Sequence, residues 1–321
     1  MTIGNQKHWL GKWRQFICLF MAAMGMLLAF GGALGEEAFS ETKCIDFLDS
    51  GEIIYENPEQ GIWGYQSPTL CIEITRHENE DTVWTVADIR TRDGERFRLT
   101  PKNPEKRMKQ TDYVQNIAAE NGVVFATTSD FAHHRIQKKM PPGIIIRDGE
   151  IVSKKTRMKK STKFPNLDTL ALFDNGDMRV FAFDEHTAED YLAMGATDVM
   201  AFGPILIRDG KIDEKMLGKY GQYREPRVGI GMIEPGHYIS IMVEGRHKGS
   251  KGVSTRNLAE LFLNAGCRVA FNLDGGKSAT MVFMGKQIVQ VGEKKSKPTF
   301  VRSTAEIFGI GNTSSIQDTT K

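Results

Sequence analysis

Cysteine is scarce: four in 321 residues. None forms a C-x-x-C pair or stands beside histidines at a zinc-holding spacing, so a structural zinc module is excluded. Charge of one sign is also lacking. Forty-two lysines and arginines face forty aspartates and glutamates, a net of +2. The basic excess that drives bulk nucleic-acid binding is therefore missing, and no nucleic-acid partner is expected. The stretch Gly275-Gly276-Lys277-Ser278 has the end of a nucleotide-binding P-loop but not its beginning. That motif needs a glycine five residues before Gly276, where Phe271 stands, and no helical pattern follows. Apolar residues at 40% and charged residues at 26% are those of an ordinary globular protein. At this length one large domain or two are compatible.

What is present begins with a targeting segment. Lys7, Lys12 and Arg14 precede an uncharged run from Gln15 to Gly35, a basic region followed by an apolar one. The run is about 20 residues, enough to span a bilayer as a helix. Ala33-Leu34-Gly35 offers a small-residue cleavage site before Glu36. Residues 1–35 are thus expected to be a signal peptide or an N-terminal transmembrane anchor. The rest lies outside the cytoplasm, secreted or held at the membrane by that helix. Cys18 lies in the apolar run without a lipobox pattern downstream. Cys44, Cys71 and Cys267 remain, and an odd count leaves one thiol over in an oxidising compartment. Cys44–Cys71 is the first pairing to expect; three unpaired buried cysteines is the alternative.

Residues 36–60 read as a lead-in or stalk, residues 61–311 as the domain, and residues 312–321 as a polar, disordered tail. From Gly61 the pattern is β-rich, with strands at 69–76, 82–91 and 123–131. A helix is expected over Lys109 to Asn121, with Val114, Ile117 and Ala118 on one face and Gly122 past its end. GIIIRDGEIV (143–152) and GPILIRDGKID (203–213) echo each other as hairpins around Asp-Gly, and Asn175-Gly176 turns a third. Thr187 to Met194 suits a short helix. A second, capped by Ser254 or Thr255 and ended by Gly266, runs from Asn257 to Ala265 and buries Leu258, Leu261, Phe262 and Ala265. The class expected is α+β: a large, strongly twisted mixed sheet with several hairpins and a few flanking helices. Basic residues cluster between Lys154 and Lys163, read as a solvated loop, with an anionic polymer or membrane surface as the functional alternative.

The densest polar stretch is Asn272-Leu273-Asp274-Gly275-Gly276-Lys277-Ser278, set between the apolar runs RVAF and TMVFM. A carboxylate at a strand end, followed by two residues without side chains, lets a ligand approach backbone N–H groups closely. A plain Asp-Gly turn is the bland alternative. Three arginine-bearing segments accompany it. Arg227 opens the strand VGIGMI, Arg246 opens the loop RHKGSKG, and Arg302 precedes the last strand. Arginine suits phosphate because its planar fork gives two parallel charged hydrogen bonds. His247 adds positive potential, whereas Lys248 and Lys251 read as surface charges. Asp130, in the corner Thr128-Ser129-Asp130-Phe131-Ala132, supplies a second carboxylate. His133, His134 and His247 are candidate proton donors, though adjacent histidines in a loop are more often surface.

These segments resemble the phosphodiester glycosidase family, the uncovering-enzyme-like proteins whose bacterial members are labelled exopolysaccharide-biosynthesis proteins. The resemblance runs from about Asn121 to Gly311. It rests on NLDGG followed by Ser, on Pro226-Arg227 with Gly231, on the block from Met242 to Cys267, on Phe202 to Lys211, and on Arg302. It implies a hydrolase that cleaves a sugar-1-phosphodiester, for example one linked through N-acetylglucosamine-1-phosphate, in a glycan or cell-wall polymer of the envelope. The partner would be a carbohydrate or an anionic wall polymer.

Glycosidic cleavage ordinarily uses two carboxylates. A phosphate leaves readily, so arginine clamps gain weight over acid catalysis. On this basis Asp274 and Asp130 are the catalytic candidates, with Asp274 as nucleophile or general base. Arg227, Arg246, His247, Asn272, Gly275, Gly276, Lys277, Ser278 and Arg302 are the substrate-binding candidates. No cofactor is expected. A divalent cation such as calcium is the one candidate, because Asp130, Asn272 and Asp274 offer oxygen ligands. The family pattern is departed from in two places: Thr128-Ser129 replaces Asn-Gly, and Lys277 stands where glycine or serine is usual. A lysine there either reaches the phosphate or blocks the pocket. The alternative function is a non-catalytic glycan- or phosphate-binding envelope protein on the same fold.

Overall fold

Short runs of β-branched and aromatic residues broken by glycine turns fold mostly as strands. The computed structural model describes residues 47–105, 110–130, 143–154, 167–217, 221–289, 291 and 301–316. The chain divides into Met1–Glu41, outside the described residues, and Thr42–Lys321. Among the described residues nineteen strands form three sheets instead of one. The largest has nine strands in the order Ile53–Asn57, Ile62–Gln66, Leu70–Glu78, Val83–Thr91, His237–Val243, Arg227–Glu234, Val269–Asn272, Ile205–Arg208 and Lys211–Ile212. A five-stranded sheet runs Met178–Phe181, Asp168–Phe173, Ala196–Phe202, Ile144–Arg147, Glu150–Lys154. A second runs Lys286–Gln287, Met281–Phe283, Phe125–Thr128, Glu306–Ile310, Arg98–Pro101. The α+β class holds; the ladders between these strands are all antiparallel, not mixed.

Both Arg-Asp-Gly hairpins form. Asp148 and Gly149 have φ of 49° and 75°, and Asp209 and Gly210 have 52° and 73°, the left-handed pair that a two-residue primed turn needs. They lie in different sheets. The helix Thr255–Asn264 is capped by Ser254, whose hydroxyl accepts from the Asn257 N–H. It ends as the glycine foretells: Gly266 N–H donates to Leu263 O and Cys267 N–H to Phe262 O, with Gly266 at φ 81°. This helix packs on the strand Arg227–Glu234 because that strand carries Gly229 and Gly231. A Cβ at either would come within 3.0 Å of Phe262. Ala188–Ala193 starts from a capping box of Thr187 and Asp190.

Three boundaries differ from expectation. The lead-in contributes an edge strand, Ile53–Asn57, paired with Ile62–Gln66. The first helix covers Val114–Glu120 only, because Asp112 bridges Thr304 through its backbone. The tail is anchored through residue 316: Thr313 N–H donates to Gly122 O and its hydroxyl to Glu52. The N-terminal apolar run, Cys18, Cys44, His133, His134 and most of the basic cluster fall outside the described residues. Among the described residues no helix is long and apolar enough to cross a membrane. Cys71 is disulfide-bonded and Cys267 is a free, buried thiol.

Candidate active site

The strand Phe125–Thr128 lies between Met281–Phe283 and Glu306–Ile310, with Thr127 opposite Met281 and Thr128 opposite Ile307. This register delivers three irregular segments to one end of the sheet: the corner Thr128-Ser129-Asp130, the loop 272–280, and residues 301–305. Backbone bonds join them. Asp274 N–H donates to Ser129 O (3.0 Å) and Arg302 N–H to Lys277 O (2.9 Å). The same loop is tied to the nine-stranded sheet, where Leu273 N–H donates to Val228 O (2.9 Å) and Gly276 N–H to Pro226 O (2.8 Å). The glycine loop is thus a junction between two sheets.

Asp274 is the chemical centre of this junction. Burial pushes its carboxyl up to about 7. Bonds from the Ser278 hydroxyl and the Gly275 N–H and the charge of Arg302 oppose that rise, while the charge of Asp130 adds to it. A carboxyl that titrates near neutrality exchanges protons readily at physiological pH. Asp130 is buried, and Ser129 beside it donates its hydroxyl to Glu306 O at 3.1 Å. The two carboxylates expected to work together are thus brought together, and Arg302 and Ser278 stand with them.

The other two arginines are placed differently. Arg227 donates from Nε to Val253 O (3.2 Å) and from Nη2 to Gly221 O (3.2 Å) and Tyr223 O (3.1 Å). Burial lowers its pKa to about 10, with Glu225 opposing and Arg246 adding to the fall, so the group stays protonated. It holds the 221–223 loop, and its phosphate role is not visible in these bonds. Arg246 Nε pairs with Glu225 at 2.6 Å. Its backbone is left-handed, φ 64°, which disfavours a non-glycine residue by about 1 kcal/mol. The turn lays its guanidinium on the glycine loop: a Cβ on Gly276 would lie 3.0 Å from Nη2, and one on Gly275 would lie 2.8 Å from Pro226 O. Gly275 is therefore required by the close approach of the Pro226 carbonyl and Gly276 by its left-handed backbone, φ 62°; the group nearest Gly276 is the protein's own arginine.

His247 is committed on both nitrogens. Nε2 meets the fully buried Glu244 at 3.1 Å, and Nδ1 accepts from Gly249 N–H at 3.2 Å. With both nitrogens engaged, His247 braces its loop. Glu244 is also held by Arg76 at 3.0 Å. Asn272 is buried, and its Nδ2 donates to Gly203 O at 2.9 Å, fixing the Gly203–Pro204 corner. Asp130, Asn272 and Asp274 were the oxygen donors weighed for a cation. Among the described residues no three His, Cys, Asp or Glu side chains are grouped to hold a metal ion.

Several buried acids were not foreseen, Glu306 and Asp168 among them. Glu306 forms a two-point ion pair with Arg147, through Nε at 2.9 Å and through Nη2. Arg147 Nη1 also donates to the carbonyls of Ile146 and Val199, both at 2.6 Å. The signal for Glu306 was a lone charge in an otherwise apolar strand; Arg147 looked like Arg208 in the twin hairpin, which instead pairs with Glu185 at the surface. Asp168 is fully buried, with Oδ2 accepting from Ile205 N–H at 3.3 Å and Oδ1 without a partner. Burial pushes it up to about 7.

Comparison with known proteins fits this geometry. The family model described as phosphodiester glycosidase matches residues 118–310. The chain belongs to the phosphodiester glycosidase family. Its members' domain acts on phosphodiester-linked sugars, and all the residues of the junction fall inside the match. A solved relative is the catalytic domain of zebrafish N-acetylglucosamine-1-phosphodiester alpha-N-acetylglucosaminidase, auto-inhibited by its pro-peptide. It is 19% identical, covers 77% of this chain and 85% of its own, and superposes with a TM-score of 0.61. A hypothetical protein from Synechocystis is 13% identical over 76% of this chain and 62% of its own, with a TM-score of 0.50. At these identities the likeness is one of fold. An uncharacterized SPbeta prophage-derived protein of Bacillus subtilis is 29% identical over 153 residues, 47% of this chain. The chain spans 23% of that curated relative's length.

Proposed function

We propose that this phosphodiester glycosidase hydrolyses a sugar-1-phosphodiester outside the cytoplasm, freeing the sugar. The observation that carries this reading is Asp274, held near neutrality beside Asp130, Ser278 and Arg302. Asp274 acts as general base. It takes a proton from water, the water oxygen bonds to the sugar's anomeric carbon, and the carbon–oxygen bond to phosphate breaks with its electron pair leaving on the phosphate monoester. That leaving group needs no protonation, which fits a site rich in arginine. Arg302 and Arg246 flank the loop where the phosphate would rest, and the Ser278 hydroxyl orients the carboxylate.

N-acetylglucosamine-1-phospho linkages are the first substrates to try, since the zebrafish relative's name carries that activity. A glycan or wall polymer of the cell envelope is the natural source. The basic-then-apolar N-terminus and the disulfide at Cys71 support an exported protein, secreted or membrane-anchored. The test is hydrolysis of UDP-N-acetylglucosamine and a synthetic N-acetylglucosamine-1-phosphodiester, with Asp274→Asn alongside. Free sugar from the wild type and none from the variant supports the reading. No sugar from either, with binding retained, contradicts it in favour of a glycan- or phosphate-binding protein.

A further inference from the structure

Beside the glycine loop lies an open recess of about 540 Å³ between the segment 221–225 and the loop 244–251. Tyr223, Arg224, Glu225, Arg246, His247 and Lys251 line it. It adjoins the Asp274 loop on two counts. Arg246 belongs to both, lying against Gly276, and Glu225 precedes Pro226, whose carbonyl holds Gly276 N–H.

The charges on its floor are paired. Arg246 meets Glu225 at 2.6 Å, Arg224 grips both Asp81 oxygens at 2.7 Å, and Lys251 shares Asp81 at 3.2 Å. His247 has both nitrogens engaged. An anion in the recess would have to displace Glu225 from Arg246 Nε or Asp81 from Arg224, whereas Arg246 Nη2 lies against the glycine loop. Neutral hydroxyls face no such cost, because each both donates and accepts, and a fixed Arg–Glu pair presents a donor and an acceptor side by side.

At the rim stands Tyr223, 82% exposed. Its ring is free of the core, yet its backbone is not loose: Arg227 Nη2 holds the Tyr223 carbonyl at 3.1 Å and the Gly221 carbonyl at 3.2 Å. A large ring kept in water on an anchored loop, above a floor of compensated polar groups, is a combination suited to a pyranose. Its C–H face packs on an aromatic ring while its hydroxyls reach fixed polar partners.

We propose that this recess is a subsite for a neutral sugar unit, with Tyr223 as its stacking platform and Glu225 and Arg246 as its hydrogen-bonding floor. Resting on the hydrolase reading above, it makes the substrate a glycan of at least two sugars, one unit over Asp274 and a neighbour in the recess. Arg227 then serves as a positioning residue for Tyr223.

The test titrates the full chain with N,N′-diacetylchitobiose and with mannobiose, followed by calorimetry and by NMR of the tyrosine resonances. Millimolar binding of one disaccharide is expected, weakened about tenfold in Tyr223→Ala and retained in Tyr223→Trp. No binding of either sugar, binding indifferent to Tyr223→Ala, or displacement of the sugar by inorganic phosphate would each overturn the proposal. Its fate separates from that of the hydrolase reading. Saccharide binding through Tyr223 in a chain that cleaves no phosphodiester keeps the subsite and removes the hydrolase. Cleavage with no saccharide binding does the reverse.

Discussion

Replacing Arg147 by methionine removes the only guanidinium bonded to Glu306 among the described residues, and both side chains are buried. Breaking such a pair ordinarily destabilises by about 3–5 kcal/mol, because one charge is left buried and alone. A second route gives the same size. A stranded carboxylate is relieved by taking up a proton, and holding a glutamic acid protonated at pH 7 costs about 1.36 × (7 − 4.3), or roughly 3.7 kcal/mol. At pH 5 the same step costs about 1 kcal/mol. The sign follows: the stranded acid prefers its neutral form, so the variant's deficit is smallest at low pH and grows as pH rises. The carbonyls of Ile146 and Val199 also lose their donor, which adds about 1–2 kcal/mol at either pH. Urea unfolding by tryptophan fluorescence, at pH 7 and pH 5, measures this directly. Arg147→Met is expected to lose about 5–6 kcal/mol at pH 7 and about 2–3 kcal/mol at pH 5. Arg147→Met with Glu306→Leu is expected to recover most of the pH 7 loss, since an apolar pair of similar volume replaces the charges. A single-variant loss below about 1 kcal/mol, a loss equal at both pH values, or a double variant worse than the single would refute the reasoning.

Further outcomes follow from the same structure. Hydrolysis should rise with pH and level off above about 7, where Asp274 is ionised as a base must be; a pH–rate profile falling through 7 would make Asp274 an acid instead. Gly275→Ala should be the more damaging of the two loop substitutions, because its Cβ meets the fixed Pro226 carbonyl at 2.8 Å, whereas Gly276→Ala meets the flexible end of Arg246 at 3.0 Å and otherwise adds the strain of a left-handed backbone at φ 62°, about 1 kcal/mol. Thermal unfolding and turnover of the two variants check the order, and equal effects would contradict it. Asp168 has its folded pKa raised to about 7 by burial from an ordinary 3.8. Its favourable bias is therefore full below about pH 4 and lost as pH rises through 7. Asp168→Asn should gain stability over wild type by up to about 4 kcal/mol between pH 4 and pH 8, as urea midpoints at the two pH values will show; a gain independent of pH would contradict the assignment.

The family and the β-rich class were legible because they rest on local signals. Asp-Gly and Asn-Gly turns, the Ser254 cap and the Gly266 stop act within a few residues, and each formed as read. The Asp274 loop was legible for the same reason: polar density between two apolar strands is a local pattern. What was not legible depends on register. Arg147 and Arg208 sit in near-identical hairpins, and only the neighbouring sheet decides that one is buried against Glu306 and the other faces Glu185 at the surface. Arg227 and His247 had the right chemistry for a phosphate site, but nearby carbonyls, Glu244 and a loop N–H engage them. A sequence gives side-chain types and not the partners already competing for them. The lead-in strand Ile53–Asn57 escaped notice because an edge strand is paired on one side only and keeps an exposed, mixed pattern.

The central claim is that Asp274 directs water to the sugar carbon of a phosphodiester. Hydrolysis of N-acetylglucosamine-1-phosphodiester in ¹⁸O-labelled water, read by mass spectrometry, tests it most directly. The label is expected in the released sugar, with the phosphate monoester unlabelled and no turnover by Asp274→Asn. Label in the phosphate would mean phosphorus–oxygen cleavage and would contradict the account.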